Sequence, residues 1–215
     1  MVNMQKIAVI GCVFVGSTSA FSLIQTGLFS EMVLIDANKE RAEGEAMDLS
    51  HGSAYLTPMK IYAGTYDDIV DAGIIVITAG ANQKPNETRL DLVKKNVNIF
   101  KSIIPEITSR NCEGIILVVS NPVDILTEVT LKLSGFPANR VIGSGTVLDT
   151  ARLKYVLGRH LQVDPRNIHA YIIGEHGDSE LAVWSGASVG GIHINHLSEL
   201  RGHYQHEEAM VRLAQ

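Results

Sequence analysis

The sequence predicts an α/β protein built on a doubly wound parallel sheet. Three observations support this prediction: apolar runs alternate with segments of helical spacing, the first run ends in a glycine turn, and polar residues follow several of the runs. Strands without polar alternation are typical of parallel sheets that are covered on both faces. A strand and helix alternation of this kind builds such sheets. The 46% hydrophobic content of the 215 residues is sufficient for the core.

The first elements form one strand–helix–strand unit. An apolar strand is predicted at 6–10, and after the glycine turn a helix of small and apolar residues at 15–26. Gly27 is expected to cap the C-terminus of that helix. A second apolar strand at 32–35 ends at Asp36.

The following elements continue the alternation. Strands are predicted at 60–63, 74–78, 114–119 and 141–142, and helices at 39–49, 90–109 and 124–133. Pro105 is expected to break or kink the last turn of its helix. Sheets of this class bind ligands at the carboxyl ends of their strands. Asp36, the loop 80–89 and Asn121 all follow such ends, which indicates a ligand site there.

Composition excludes several classes of function. A net charge of −5 argues against nucleic acid or an anionic membrane as a main partner. No segment reaches the length of a transmembrane helix. Cys12 and Cys112 have no metal-ligand spacing and do not make a disulfide framework, so we expect no metal site and a reduced, cytoplasmic setting.

The glycine turn predicts a dinucleotide cofactor. Residues 11–16 read Gly-Cys-Val-Phe-Val-Gly between a strand and a helix, and Asp36 ends the next strand. The glycines permit a tight turn and close approach of a pyrophosphate, and the acid bonds the ribose, which favours NAD over NADP. Val13 stands where the motif has its middle glycine, so its side chain should protrude toward the phosphates. The expected cofactor-binding residues are Gly11, Val13, Phe14, Val15, Gly16, Asp36, Gly80, Ala81 and Asn121.

A histidine lies at the end of an apolar run. Residues 168–173 predict a strand that ends at Gly174 and delivers His176 on a tight turn between acids. A histidine beside carboxylates is a candidate general acid or base. The alternative is a surface-loop histidine, since the chain has eight.

Two charged residues could complete this site. Asp149 and Arg152 are three residues apart before a helix that runs to about Leu161, so they share a helix face. Asp149 could fix the tautomer of His176, and Arg152 could hold a carboxylate with two hydrogen bonds. A surface ion pair is the alternative. The polar loop 80–89 could act as a lid that carries Arg89, or it could be a solvated loop.

Five motifs together resemble one family. They are the glycine turn with Asp36, Gln-Lys-Pro-Asn-Glu-Thr-Arg at 83–89, Ser-Asn-Pro-Val-Asp at 120–124, Leu-Asp-Thr-Ala-Arg at 148–152 and Gly-Glu-His-Gly-Asp-Ser at 174–179. The chain resembles the NAD-dependent lactate/malate dehydrogenase family, in its bacterial L-lactate dehydrogenase branch. The resemblance implies a Rossmann fold, interconversion of pyruvate and L-lactate in glycolytic fermentation, and a homo-oligomer, a tetramer. Malate-type specificity and an inactive nucleotide-binding fragment remain alternatives.

The resemblance also implies roles for individual residues. His176 would donate the proton to the keto oxygen, with Asp149 as its partner. Arg152 would clamp the substrate carboxylate, Arg89 would polarise the carbonyl, and Asn121 would bond in the same pocket.

Further roles concern specificity and regulation. Gln83 matches the position that separates lactate from malate, because a neutral amide offers a dicarboxylate no second cation. Lys154 and His169 match residues through which fructose 1,6-bisphosphate activates many bacterial members.

The chain also departs from the family pattern. Val13 and Asn86 replace glycines, and family members continue past Gln215. We therefore expect a dinucleotide-binding domain at 1–145, followed at 146–215 by an incomplete α+β substrate domain.

Overall fold

The computed structural model describes residues 1–82, 85 and 87–202. The chain divides into two compact units, Met1–Gly143 and Ser144–Gln215. The first unit is a parallel sheet with helices and the second is a smaller α/β unit, which confirms the predicted fold class.

The sheet of the first unit has six parallel strands in the order β3-β2-β1-β4-β5-β6. The strands are β1 (Asn3–Ile10), β2 (Glu31–Ile35), β3 (Lys60–Ala63), β4 (Ala72–Ile77), β5 (Ile115–Val118) and β6 (Val141–Gly143). Strand order reverses direction between β1 and β4. Ligand crevices of doubly wound sheets lie at such a switch point, outside the carboxyl ends of the strands.

Four helices cover the two faces of this sheet. They are α1 (Phe14–Thr26), α2 (Lys39–Gly52), α3 (Arg89–Thr108) and α4 (Val123–Ser134). Gly27 caps α1 in the left-handed conformation, with φ 66°. Pro105 lies inside the last turn of α3, which continues to Thr108 and is therefore not broken at the proline.

Side chains of β1 alternate between two cores. Ile7 and Val9 pack with the cluster that includes Ile24 of α1, whereas Ala8 and Ile10 pack with the cluster that includes Phe100 of α3. Because both faces are buried, the strand reads as an unbroken apolar run.

The second unit begins with α5 (Val147–Leu161), and its described part, up to residue 202, contains five short strands and one further helix. The strands are β7 (Ile168–His169), β8 (Ile172–Ile173), β9 (Leu181–Ala182), β10 (Ser188–Val189) and β11 (Ile192–His193), and the helix is α6 (Ile194–Leu200). Strands β11, β10 and β7 form one antiparallel sheet, and β8 pairs with β9. Leu153, Leu157 and Ile168 belong to a separate core in this unit.

The single strand predicted at 168–173 is wrong, because the segment is divided into β7 and β8. The division lies at Ala170 and Tyr171, which belong to neither strand, and the next residue, Ile172, is bonded by hydroxyl groups at the N-terminal end of α5. Thr146 donates to the carbonyl oxygen of Ile172 at 2.6 Å, and the amide of Ile172 donates to Thr150 at 2.9 Å. Side chains still alternate along the segment, so Ile168, Ala170 and Ile172 are buried.

No helix in the described part of the chain is both long and apolar enough to cross a membrane.

Candidate active site

The turn between β1 and α1 requires glycine at both of its ends. Gly11 has φ 101°, and a Cβ there would lie 2.5 Å from the backbone nitrogen of Ala79. A Cβ on Gly16 would lie 1.8 Å from the carbonyl oxygen of Gly11. Both distances are far inside van der Waals contact, so these two positions are determined by the fold itself.

Val13 occupies the middle of the turn in a different conformation. Its φ of −96° and ψ of −174° are extended, and it precedes α1 without a capping side-chain hydrogen bond. The side chain is 42% exposed, and Phe14 and Val15 beside it are also exposed. A branched apolar side chain therefore stands at the helix N-terminus, where backbone amides and the helix dipole favour an anion.

Asp36 connects the end of β2 to the same turn. Its carboxylate accepts hydrogen bonds from the amide of Cys12 at 2.7 Å and from the amide of Asn38 at 2.9 Å. Each carboxylate oxygen can accept a further hydrogen bond, so ribose hydroxyls can be bound here. Burial raises the pKa of the Cys12 thiol to about 12, which keeps the neighbouring sulfur neutral.

A cavity of about 750 Å³ lies beside this turn, within the first unit. Gly11, Val13 and Asp36 line it, and Tyr66 and Ile99 give it an apolar wall. Carboxylate acceptors beside an apolar wall suit the adenosine end of a dinucleotide. The residues therefore fit NAD at that end, and the side chain of Val13 lines the cavity at the turn.

Asn96 joins the two loops at the carboxyl ends of β4 and β5. Its side chain accepts a hydrogen bond from the amide of Ala81 and donates one to the carbonyl oxygen of Asn121, both at 2.7 Å. The residue is only 1% exposed. Sequence reasoning missed it, although an asparagine on the buried face of an apolar helix is the signal that could have found it. Ser120 supports the same loops by donating to the carbonyl oxygen of Ala79 at 2.7 Å.

The predicted lid is described only in part. Arg89 is exposed and is the first residue of α3, after a capping box formed by Thr88 and Asp91. Gln83, the predicted specificity residue, lies outside the described residues, as do Lys84 and Asn86.

In the second unit, the structure brings the predicted histidine, aspartate and arginine together. His176 Nδ1 lies 2.5 Å from Asp149 Oδ2, and Arg152 Nη1 donates to Asp149 Oδ1 at 3.1 Å. Asp149 is buried in the first turn of α5, with 5% exposure. An ionised carboxylate can only accept, so it places the proton of a neutral imidazole on Nδ1 and leaves Nε2 as the reactive nitrogen.

Glu180 is a fourth member of this cluster and was missed by sequence reasoning. Ligand atoms of Asp149, His176 and Glu180 lie within 4.8 Å of one another. Burial raises the pKa of Glu180, and the charge of Asp149 and a hydrogen bond with its carboxyl raise it further, whereas His176 and Arg152 lower it. Its position before β9 gives no signal in the sequence, because the proximity depends on the pairing of β8 with β9.

The residues predicted to bind an activator lie elsewhere in the second unit. The ammonium of Lys154 lies 5.3 Å from the centroid of the Tyr171 ring. His169 is exposed and lies on the same side of its segment as Tyr171, because exposed and buried residues alternate there. A cation, an imidazole and an aromatic ring therefore share one surface.

The strand order, the glycine turn and Asp36 define a dinucleotide-binding protein of the doubly wound class. Residues 5–143 match the NAD binding domain of lactate/malate dehydrogenase, and residues 146–213 match its alpha/beta C-terminal domain. The chain therefore belongs to the lactate/malate dehydrogenase family.

Individual relatives are similar at high identity. The chain is 59% identical to L-lactate dehydrogenase 1 of Clostridium acetobutylicum over 194 residues, 90% of this chain and 62% of that protein. It is 60% identical to L-lactate dehydrogenase of Priestia megaterium over 192 residues, 89% of this chain and 60% of that protein. The crystal structure of a minor L-lactate dehydrogenase from Enterococcus mundtii, in a ligands-bound form, superposes with a TM-score of 0.93 at 47% identity, covering 98% of this chain and 67% of that one. The chain thus spans about 60% of the length of the curated relatives it matches.

Proposed function

We propose that the protein is an oxidoreductase that interconverts pyruvate and L-lactate by hydride transfer with NADH and NAD. The observation that carries the proposal is the 2.5 Å contact between His176 and Asp149, with Arg152 on the other oxygen of the same carboxylate. A bound nicotinamide supplies the hydride chemistry. The names of the curated relatives, which are L-lactate dehydrogenases, support the same substrate pair.

His176 acts as the proton donor and acceptor in this proposal. Asp149 orients the ring through Nδ1 and stabilises the imidazolium, so Nε2 can give a proton to the keto oxygen of pyruvate or take one from lactate. Arg152 binds the substrate carboxylate, because a guanidinium has several planar N–H donors and only one is used on Asp149. Arg89 is assigned to polarise the carbonyl, and Asn121 is assigned to hydrogen-bond the substrate.

Cofactor binding is assigned to the turn and to the loops that follow β4 and β5. Asp36 accepts from the ribose, and the backbone of residues 13–16 faces the phosphates at the N-terminus of α1. Gly80, Ala81 and Asn121 belong to the two loops that Asn96 joins. The cavity beside the turn supports this assignment.

The test is pyruvate-dependent oxidation of NADH, followed by absorbance, in the full chain and in His176→Asn. General acid–base catalysis contributes about 100- to 10,000-fold, so we expect a loss of that size with NADH binding unchanged. The matched control is His51→Asn, an exposed histidine in α2, which should retain full turnover. Full activity of His176→Asn contradicts the proposed role.

A second candidate function is a nucleotide-binding module without turnover, which the exposed Val13 side chain in the cavity favours. NADH fluorescence enhancement without pyruvate-dependent oxidation in the unsubstituted chain selects this alternative.

Malate-type specificity is tested by Gln83→Arg, which should raise turnover of oxaloacetate relative to pyruvate because it adds a cation. An unchanged ratio contradicts a role for Gln83 in substrate choice.

The proposal also includes regulation and assembly: the protein forms a homo-oligomer, and fructose 1,6-bisphosphate activates the enzyme through Lys154 and His169. The shared surface of these residues with Tyr171 supports an anion site. Equal responses of Lys154→Ala and unsubstituted protein to the bisphosphate contradict it. The two free, buried thiols suit a reducing, cytoplasmic setting.

A further inference from the structure

We propose that Glu180 is a positioning residue for the His176–Asp149 pair, a second carboxyl that lies within 4.8 Å of both and sets the negative charge that the imidazole faces. The inference deepens the proposed function, since it concerns the same histidine. It is argued from the geometry of α5 and of the turn between β8 and β9, which both belong to the second unit.

The β8–β9 hairpin fixes Glu180 relative to His176. Ile173 of β8 pairs with Leu181 of β9, so the turn between them brings residue 180 back beside the start of the same turn. The amide of Glu180 donates to the carbonyl oxygen of Gly177 at 3.1 Å. Gly174, with φ 99°, allows close approach, because a Cβ there would lie 3.3 Å from the carbonyl oxygen of Ser179. The backbone of Glu180 is therefore held beside the start of the turn.

Two elements contribute charge to this point. Asp149 and Arg152 come from α5, and His176 and Glu180 come from the turn between β8 and β9. The turn also carries Glu175 and Asp178, which are exposed, and the carboxylate of Glu175 accepts from Ser179 at 2.9 Å. Asp149 and Glu180 thus place two carboxyl groups within 4.8 Å of an imidazole nitrogen of His176.

The carboxyl pair has two charge states with different effects on the imidazole. Two carboxyls held this close repel each other when both are charged, which favours a protonated form of Glu180. A protonated Glu180 is neutral and adds no negative charge beside His176. Burial and the charge of Asp149 raise the pKa of Glu180, which extends this state to higher pH. Once Glu180 ionises, a second negative charge stabilises the imidazolium that pyruvate reduction requires.

The test follows the titration of His176 by NMR in the full chain labelled at histidine, with the resonance assigned by its loss in His176→Asn. An opposite charge at this distance shifts a titration by about one pH unit, so Glu180→Gln should lower the midpoint by about that amount. The matched control is Glu175→Gln, which removes an exposed carboxylate one residue from the histidine and should shift the midpoint much less. Glu180→Asp, which keeps the charge, should restore part of the shift. Equal His176 midpoints in Glu180→Gln and Glu175→Gln overturn the inference. It is also overturned if Glu180→Gln and Glu180→Asp are both folded and both have the same His176 midpoint as the unsubstituted protein.

This experiment separates failure of the inference from failure of the proposed function, because it needs no turnover. If the protein does not oxidise NADH with pyruvate but shows the shift in the His176 midpoint, the proposed enzymatic function is refuted and the positioning role of Glu180 is retained. Where turnover is present, the alkaline limb of pyruvate reduction should move to lower pH in Glu180→Gln by the same amount. An alkaline limb that stays in place contradicts the coupling of Glu180 to catalysis.

Discussion

Substitution of Val13 by glycine should tighten NADH binding by about ten- to a hundred-fold. Relief of steric conflict with a branched side chain is worth about 1–3 kcal/mol, and about 1.4 kcal/mol corresponds to ten-fold in affinity. The side chain is accessible to the ligand, since it is 42% exposed and lines the cavity. The backbone at position 13 is extended, so glycine has no strain to relieve there.

The stability of the free protein should change little in this variant. Glycine costs about 0.5–1 kcal/mol in chain entropy, but it is a better residue than valine at the N-cap by a similar amount. A change in affinity can therefore be assigned to the ligand contact and not to unfolding. Melting curves without NADH check this condition.

The assay is titration of NADH fluorescence in the unsubstituted chain and in Val13→Gly, Val13→Ala and Val70→Ala. Alanine at position 13 should give an intermediate gain. Val70 is the matched control, because it is 45% exposed in the same unit and does not line the cavity. Equal dissociation constants for the unsubstituted chain and Val13→Gly, with equal melting curves, refute the reasoning about the turn.

Three further predictions concern stability. Gly16→Ala should destabilise the first unit by about 3 kcal/mol or more in urea unfolding, because its Cβ meets the carbonyl oxygen of Gly11 at 1.8 Å and neither backbone can yield cheaply; an unchanged urea midpoint contradicts this. Asn96→Leu should cost about 2–4 kcal/mol by leaving two backbone groups unpaired, and it should also weaken NADH binding through the loops that it joins; a stable variant with normal binding contradicts this. Glu31→Gln should cost about 1–3 kcal/mol at neutral pH, because the carboxylate pairs with buried Lys6 at 3.1 Å. Burial raises the pKa of Glu31, but hydrogen bonds from Tyr62 and Lys6 outweigh this effect and hold that pKa below its usual range. The stabilisation by the Glu31 carboxylate is therefore present above about pH 4 and is lost as pH falls through the lowered pKa. A difference in melting temperature between Glu31→Gln and the unsubstituted protein that persists below that pKa contradicts the assignment.

The sheet of the first unit was predictable because burial on both faces leaves a direct record in the sequence. Short apolar runs such as residues 6–10 are typical of strands that are covered on both faces, and glycine or an acid follows several of them. Strand β1 begins at Asn3, earlier than predicted. The prediction missed its first residues because they are exposed or partly exposed, and Asn3 and Gln5 are polar. A prediction from unbroken apolar runs cannot detect the part of a strand that lies outside the core.

The candidate site was predictable where one residue type suits one chemistry, and not where proximity depends on tertiary pairing. His176, Asp149 and Arg152 combine in the structure as their chemistry and spacing indicate. Glu180 joins them through hairpin pairing, and Asn96 joins two loops through burial of a helix face. Neither contact follows from the spacing of motif residues, because both depend on which segments lie next to each other in the folded chain.

The glycine turn shows how far a motif records the fold and how far it records the ligand. At positions 11 and 16 a side chain would collide with the backbone of the protein itself, so any sequence with this turn requires glycine there. At position 13 the backbone is extended and accepts valine without strain. A glycine at that position therefore serves the ligand and not the turn, which is why this chain can keep the fold with Val13. Substitution at position 13 should therefore change the affinity for the cofactor while leaving the fold as it is.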